Sequence, residues 1–146
     1  MEDFQKKYDK GVFNIIVLGI IFDPKERKVL IGKRKKDTYI EKLTWCFPGG
    51  KPEYGEELEE SIKREIKEET DLDVECLGPV FAKTYPEKRD LIAVYYLCEM
   101  ISGKEKPKHD FEEFKWVEPE KIEEYFQTSF HPNLKEYILN LSGKNC

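Results

Sequence analysis

The sequence predicts an α/β (α+β) fold in which a mixed β-sheet is flanked by helices. Two observations support this expectation. Short segments rich in β-branched and aromatic residues lie on both sides of a highly charged central helix, and two more helical segments follow the last of them. Because strands and helices cover each other's apolar surfaces, we expect one sheet with helices packed against it.

Turn residues divide the chain into these elements. Asp23-Pro24-Lys25 separates the first two expected strands, and Pro48-Gly49-Gly50 ends the third abruptly. A turn that contains Pro86 joins two later strands. The expected strands are 12–22, 29–32, 43–47, 74–85, 91–100 and 111–117, and the expected helices are 56–70, 119–126 and 132–141.

Length and composition indicate one soluble domain that spans residues 1–146. The chain is 38% charged, has a net charge of −5, and spreads its 39% hydrophobic residues along its length. Its longest apolar stretch, 12–22, is far shorter than the roughly 20 residues that a membrane helix needs. Charged residues after Met1 leave no apolar core for a secretory signal, so we expect a cytoplasmic protein.

The side-chain inventory argues against several kinds of site. The four cysteines show no C-x-x-C spacing and the chain has two histidines, which disfavours zinc and a disulfide framework. An acidic chain is also disfavoured as a general nucleic-acid binder, since affinity for the phosphate backbone comes from clustered Lys and Arg. A phosphate site here would need an added positive charge. Whether the chain forms a homodimer stays open.

The central helix carries glutamates on the side that faces the protein. At about 100° per residue, one apolar stripe runs along the helix. The stripe consists of Leu58, Ile62 and Ile66. Glu65 and Glu69 fall within or beside the stripe, and Glu68 lies slightly further round. Burying an unpaired carboxylate costs several kcal/mol, so such groups must be paired or must bind a cation.

Two explanations of this helix remain open at this point. A run of glutamates is usually only the solvated face of a helix. Mg²⁺, with Mn²⁺ as a substitute, fits the geometry better, because it prefers oxygen ligands and bridges carboxylates to phosphates. Backbone carbonyls of the Gly49-Gly50 pair could also reach a metal, since glycine lets the chain turn sharply and approach a ligand closely.

The segment from Gly50 to Leu72 resembles the signature of the Nudix hydrolase family. That signature is a glycine, five residues, a glutamate, seven residues and then R-E-U-x-E-E-x-G-U, where U is a bulky aliphatic residue. The matching positions are Gly50, Glu56 and Arg64-Glu65-Ile66-Lys67-Glu68-Glu69-Thr70-Asp71-Leu72. Asp71 departs from the pattern, which has glycine just past the helix. We expect a left-handed backbone there, which Asp accepts more readily than most residues.

The resemblance implies a Nudix-type α/β/α sandwich, and it implies roles for the matched residues. Glu68 and Glu69 would bind Mg²⁺, with the carbonyl of Gly49 as a further ligand. Glu65 would be either a third carboxylate ligand or the general base that activates water.

The remaining matched residues would support these glutamates. Arg64 would hold them in place, together with Gly50 and Glu56. Some family members use a base downstream of the signature, and the candidates here are Asp110, Glu112 and Glu113. The resemblance ranks Glu113 first, while strand alternation places Glu112, the supporting candidate, on the face of Phe114 and Trp116.

Substrate contacts are less specifically indicated. Lys33 and Arg34, at the end of the second strand, could hold substrate phosphates, as could Lys51, although a solvated surface explains such lysines equally well. Lys36 belongs to the same basic run. Four aromatic residues could stack on a base, but packing is the more usual role of such residues. They are Tyr39, Trp45, Tyr54 and Tyr85.

The resemblance implies a Mg²⁺-dependent hydrolase that cleaves the pyrophosphate of a nucleoside diphosphate linked to another group. A nucleoside triphosphate is the first expectation, with a monophosphate released after attack by metal-activated water. ADP-ribose, a nucleotide sugar or a dinucleoside polyphosphate is the alternative substrate. A nucleotide sensor without turnover and a purely structural acidic helix are the alternatives from other classes.

Overall fold

The computed structural model describes residues 11–35, 44–126 and 130–143. The strands are β1 (Asn14–Asp23), β2 (Lys28–Arg34), β3 (Trp45–Cys46), β4 (Gly49–Gly50), β5 (Asp73–Tyr85), β6 (Lys88–Ser102) and β7 (Phe111–Val117). The helices are α1 (Leu58–Thr70), α2 (Ile122–Tyr125) and α3 (Pro132–Asn140), and a 3₁₀ turn covers Pro119–Lys121. Lys36, Tyr39 and the first residue of the expected strand 43–47 lie outside the described residues.

These strands form one mixed sheet, which confirms the expected fold class. β1 runs parallel to β6, and β5 pairs antiparallel with the other edge of β6. β1 and β2 pair only near their hairpin, at Phe22↔Val29 and Asp23↔Lys28. Beyond that point they separate, so that β3 pairs with β2 while β4 pairs with β1. β7 covers the outer edge of β2.

The two faces of the sheet are covered by different helices. Strand side chains alternate between the faces, so neighbouring residues of one strand enter different cores. α1 covers the face to which Val17 and Leu30 belong, with Ile62 and Ile66 fully buried beneath it. The other core contains Ile16, Leu18, Ile20, Ile122, Leu134 and Ile138. Within the described residues, none of the helices combines the length and apolar character needed to cross a membrane.

Helix boundaries differ from the sequence expectation chiefly at the start of α1 and in the segment 119–126. α1 begins at Leu58 with Glu57 as its N-cap, so Glu56 lies in the preceding loop, where Arg64 binds its carboxylate. Leu58 is 38% exposed, and the buried stripe therefore starts at Ile62. The expected helix 119–126 is a 3₁₀ turn followed by the single turn of α2, and the chain is extended again at Phe126.

The Gly49-Gly50 pair forms a strand rather than only a turn. Gly49 and Gly50 pair with Leu18 and Val17 of β1, in the gap that the separation of β1 and β2 leaves. A Cβ built on Gly49 would lie 1.9 Å from the carbonyl oxygen of Val17. The missing side chain therefore permits the contact that fixes β4 beside α1.

Gly49→Ala is expected to lower the free energy of unfolding by about 3 kcal/mol or more, because the clashing atom belongs to the backbone and cannot rotate away. Chemical denaturation measures the change. Gly11→Ala is the matched control, since a Cβ there meets nothing within 4 Å. Equal stability of the two variants would contradict the close approach of β4 to β1.

Candidate functional site

Glu69 is a buried carboxylate in the last turn of α1. Its residue is 7% exposed, and its Oε1 accepts a hydrogen bond of 2.8 Å from the backbone N–H of Gly49. Burial raises the pKa of Glu69 to about 8. The charge of Arg34 and the hydrogen bond from the Gly49 amide oppose that shift only in part. The prediction that α1 turns this glutamate toward the protein is confirmed.

Arg34 provides the cation that faces Glu69. Its Nη2 lies 3.6 Å from Glu69 Oε2, and its guanidinium packs over the ring of Phe111, 4.6 Å from the ring centre. Its Nε donates to Cys46 Sγ at 3.3 Å. The side chain is 16% exposed. Arg34 is thus held inside the site against an expected metal ligand.

Arg64 holds the other signature glutamates. Its Nε and Nη2 donate to the two carboxylate oxygens of Glu56 at 2.7 and 3.0 Å, a bidentate arrangement. Its Nη1 donates to Glu65 Oε1 and to Glu68 Oε2, both at 3.2 Å. The bond from Arg64 lowers the pKa of Glu56 to about 2. Arg64 therefore joins the carboxylates of Glu56, Glu65 and Glu68.

Glu65 fills the space above Gly50. A Cβ on Gly50 would lie 2.6 Å from Glu65 Oε2, so the carboxylate occupies the volume that any other residue would fill. Burial raises the pKa of Glu65, the charge of Arg64 opposes that shift, and the charge of Glu68 adds to it. The absence of a side chain at Gly50 thus makes a cradle for this carboxylate beside β4.

The donor set suits Mg²⁺, although arginines hold it in this structure. Among the residues that the structure describes, no three His, Cys, Asp or Glu side chains converge closely enough to hold a metal by themselves. Arg64 lies between Glu65 and Glu68, and Arg34 faces Glu69. Glu65 and Glu69 nevertheless lie beside the Gly49-Gly50 pair, and such carboxylates, which need a positive charge nearby, are the ligands that a hard cation prefers.

Among the downstream carboxylates, Asp110 acts electrostatically on Glu69. Its charge contributes to the raised pKa of Glu69. Glu113 is exposed and pairs in register with Lys33, while Glu112 forms a 4.0 Å ion pair with Lys33 Nζ. Phe114 packs in the core below α1, so alternation turns Glu113 to the other face of the sheet.

The remaining candidates divide between surface and core. Lys51 is exposed, and its carbonyl oxygen accepts from Arg64 Nη2 at 3.5 Å, so Lys51 borders the site. Trp45 packs edge-on against Tyr125, and Tyr85 is buried with its hydroxyl 3.4 Å from that of Tyr95. Tyr54, in contrast, is fully exposed in the loop before α1. Packing therefore accounts for Trp45 and Tyr85 but not for Tyr54.

Comparison with known proteins identifies the family. The family model described as the NUDIX domain matches residues 12–141. The chain belongs to the NUDIX family. An ADP-ribose pyrophosphatase of Methanocaldococcus jannaschii is 36% identical over 102 residues, which cover 68% of this chain and 58% of that protein. The nucleoside triphosphatase NudI of Escherichia coli is 30% identical over 108 residues, 66% of this chain and 77% of that protein.

Solved structures share the same Nudix fold. A MutT protein from Methanosarcina mazei aligns with a TM-score of 0.67 and 24% identity, covering 93% of this chain and 97% of that one. An ADP-ribose pyrophosphatase from Streptococcus suis aligns with a TM-score of 0.64 and 22% identity, covering 88% of each chain. At these identities the likeness concerns the fold.

Sequence reasoning missed the pairing of Arg34 with Glu69. One signal could have indicated it: Arg34 is an even number of residues from Leu30, so alternation along β2 directs both to the face that α1 covers. Nothing in the sequence indicated Phe111 and Cys46 as supports of the guanidinium, because they lie on other strands.

The raised pKa of Glu69 predicts that the metal-free Nudix domain loses stability as the pH rises. Below pH 4.5 the folded and unfolded states both carry the proton, and between 4.5 and about 8 only the folded state keeps it. The free energy of unfolding should therefore fall over this range in wild type, relative to Glu69→Gln. Thermal unfolding in EDTA from pH 5 to 8.5 measures it.

Glu59→Gln, an exposed change on the same helix, is the control and should follow wild type. Parallel pH profiles for wild type and Glu69→Gln would show that Glu69 does not hold a proton in the folded state.

Proposed function

We propose that this chain is a Mg²⁺-dependent pyrophosphohydrolase that cleaves a nucleoside diphosphate linked to another group, and that its first substrates are nucleoside triphosphates. The observation that carries the proposal is the buried carboxylate of Glu69, which lies against Gly49 on a helix that also presents Glu65 and Glu68. Membership in the NUDIX family supports it, as does the likeness to a nucleoside triphosphatase.

Glu65, Glu68 and Glu69, with the carbonyl of Gly49, would hold the metal. When bound, Mg²⁺ supplies a more acidic water and neutralises charge on the phosphoryl oxygens. Mn²⁺ offers the same coordination chemistry and is expected to substitute.

The chain's own residues would do the remaining work. Arg64 keeps Glu56, Glu65 and Glu68 together in spite of their repulsion. Glu65 or Asp110 would accept the proton from the attacking water, and the electrostatic effect of Asp110 on Glu69 favours it over Glu113 as the downstream base. Exposed Lys51 borders this region and would bind the outer phosphates, while Lys33, which pairs with Glu112, is the second candidate for that role.

ADP-ribose is the second candidate substrate. It is favoured by the identity to an ADP-ribose pyrophosphatase, although the match covers 58% of that protein. A panel of nucleoside triphosphates, ADP-ribose, nucleotide sugars and dinucleoside polyphosphates, with products separated by ion-exchange chromatography, decides between them. Release of a nucleoside monophosphate with pyrophosphate identifies the first class, and release of AMP with ribose phosphate identifies ADP-ribose.

Glu68→Gln and Glu69→Gln are each expected to lower Mg²⁺-dependent turnover by at least about 100-fold, because a neutral amide is a poor ligand for a hard cation. Circular dichroism should show an intact fold. Lys63→Gln, on the exposed side of α1, is the matched control and should keep wild-type rates. Rates near wild type in both glutamate variants would contradict the proposed site.

Metal binding can be measured without turnover. Mg²⁺ should raise the melting temperature of wild type at pH 8 and should raise that of Glu69→Gln much less. A purely structural acidic helix predicts no stabilisation by Mg²⁺ in either protein. Tight nucleotide binding by wild type, with no hydrolysis in Mg²⁺ or Mn²⁺, would instead identify a sensor.

A further inference from the structure

Asp71 differs from the Nudix signature, and its side chain has a specific contact. It ends α1 with φ 71° and ψ 6°, the left-handed conformation expected at this position, and its N–H bonds to the carbonyl of Lys67. Glycine would adopt this backbone without strain. The Asp71 carboxylate, which glycine lacks, accepts a hydrogen bond of 2.9 Å from Lys108 Nζ. The departure thus adds a tie between the end of α1 and the β6–β7 loop.

The β6–β7 loop, residues 103–110, crosses the end of α1. The N–H of Lys106 donates to the carbonyl of Thr70 at 2.9 Å. Gly103 approaches the same helix end, since a Cβ there would lie 3.2 Å from the carbonyl oxygen of Asp71. Backbone contacts therefore bring the loop to the helix. The Lys108–Asp71 pair adds a side-chain contact two residues before Asp110.

Lys108 also begins the tight turn that contains Asp110. The N–H of Phe111 donates to the carbonyl of Lys108 at 3.2 Å, and His109 has a left-handed φ of 56° within the turn. The carbonyl of Asp110 accepts from the N–H of Lys35 at 2.7 Å. Because the turn is closed on itself, a shift of Lys108 would move Asp110 with it.

The far side of this turn reaches the candidate active site. The ring of Phe111 supports the guanidinium of Arg34, which in turn faces Glu69. The charge of Asp110, which precedes Phe111 in the turn, adds to the raised pKa of Glu69. A continuous set of contacts therefore runs from Asp71 through Lys108 and the turn to the surroundings of Glu69.

We propose that Asp71 is a positioning residue, whose bond to Lys108 holds the 108–111 turn against the Arg34–Glu69 pair. The inference rests on the proposed function, in which Asp110 is one of two candidate bases. Asp71 and Lys108 are both partly exposed, so their pair contributes little to overall stability. A small displacement of a reacting group, however, lowers the rate disproportionately. The expected signature is a loss of rate without a loss of stability.

The test uses Asp71→Asn, Asp71→Gly and Lys108→Gln in the full chain. Asn and Gly both accept the left-handed backbone, so these changes remove the ion pair and leave the helix end relaxed. We expect kcat for the preferred nucleotide to fall by about fivefold in each variant with KM within about twofold of wild type. Melting temperatures should stay at or above the wild-type value for Asp71→Gly.

Two controls distinguish positioning from a general effect. Lys104→Gln makes the same change in the same loop and should leave kcat unchanged, and Lys108→Arg should restore it. If Asp71 acts through Asp110, then Asp71→Asn should cause no further loss in an Asp110→Ala background. Full multiplicative loss in the double variant, or wild-type kcat for Asp71→Gly, would overturn the inference.

A readout that does not depend on turnover keeps this inference separate from the proposed function. Hydrogen exchange of peptides covering 103–111 and Lys35 should be faster in Asp71→Asn and Lys108→Gln than in wild type or Lys104→Gln. Unchanged exchange would overturn the positioning role even in an active enzyme. Inactivity of wild type on every nucleotide tested would overturn the proposed function, while faster exchange would still establish the tie.

Discussion

The burial of the Glu69 carboxylate constrains the whole site. An unpaired carboxylate at this depth would cost several kcal/mol, so the elements that partner it must stay together. Those partners are the amide of Gly49 on β4 and the guanidinium of Arg34 at the end of β2. The gap between β1 and β2 allows β4 to enter, and glycine at position 49 allows its backbone to approach β1 closely. One buried carboxyl group thus holds together α1, β4 and the end of β2.

Arg64 and Arg34 pair with different glutamates and neutralise them to different extents. Arg64 binds Glu56 in a bidentate contact and also reaches Glu65 and Glu68, so these carboxylates stay close despite their repulsion. Arg34 compensates only part of the burial of Glu69, whose pKa remains near 8. A hard cation would therefore bind where a carboxylate still needs positive charge, among neighbours already held in place. Because Arg64 pairs with three of these glutamates and Arg34 with the fourth, the acidic groups can lie close together on and beside one helix.

Local patterns accounted for the elements, and long-range contacts decided how they pair. The alternating and helical periodicities located the strands and helices to within a few residues, because they reflect only neighbours along the chain. The parallel pairing of β1 with β6 and the separation of β1 from β2 join distant segments. Helix start signals also misled: an acidic Glu56 suits a first helical turn, yet Glu56 lies in the loop before α1, where Arg64 of the helix binds its carboxylate.

What the sequence by itself determined is the glutamate helix: the spacing from Gly50 to Leu72 places Glu65, Glu68 and Glu69 on neighbouring turns, because helical geometry follows from local bonds. It also indicated the left-handed end at Asp71. Only the tertiary structure brought Arg34 against Glu69 and Lys108 against Asp71. It also decided that the charge of Asp110 acts on Glu69. Those contacts join residues from separate strands and loops, and no periodicity along the chain records which of them will meet.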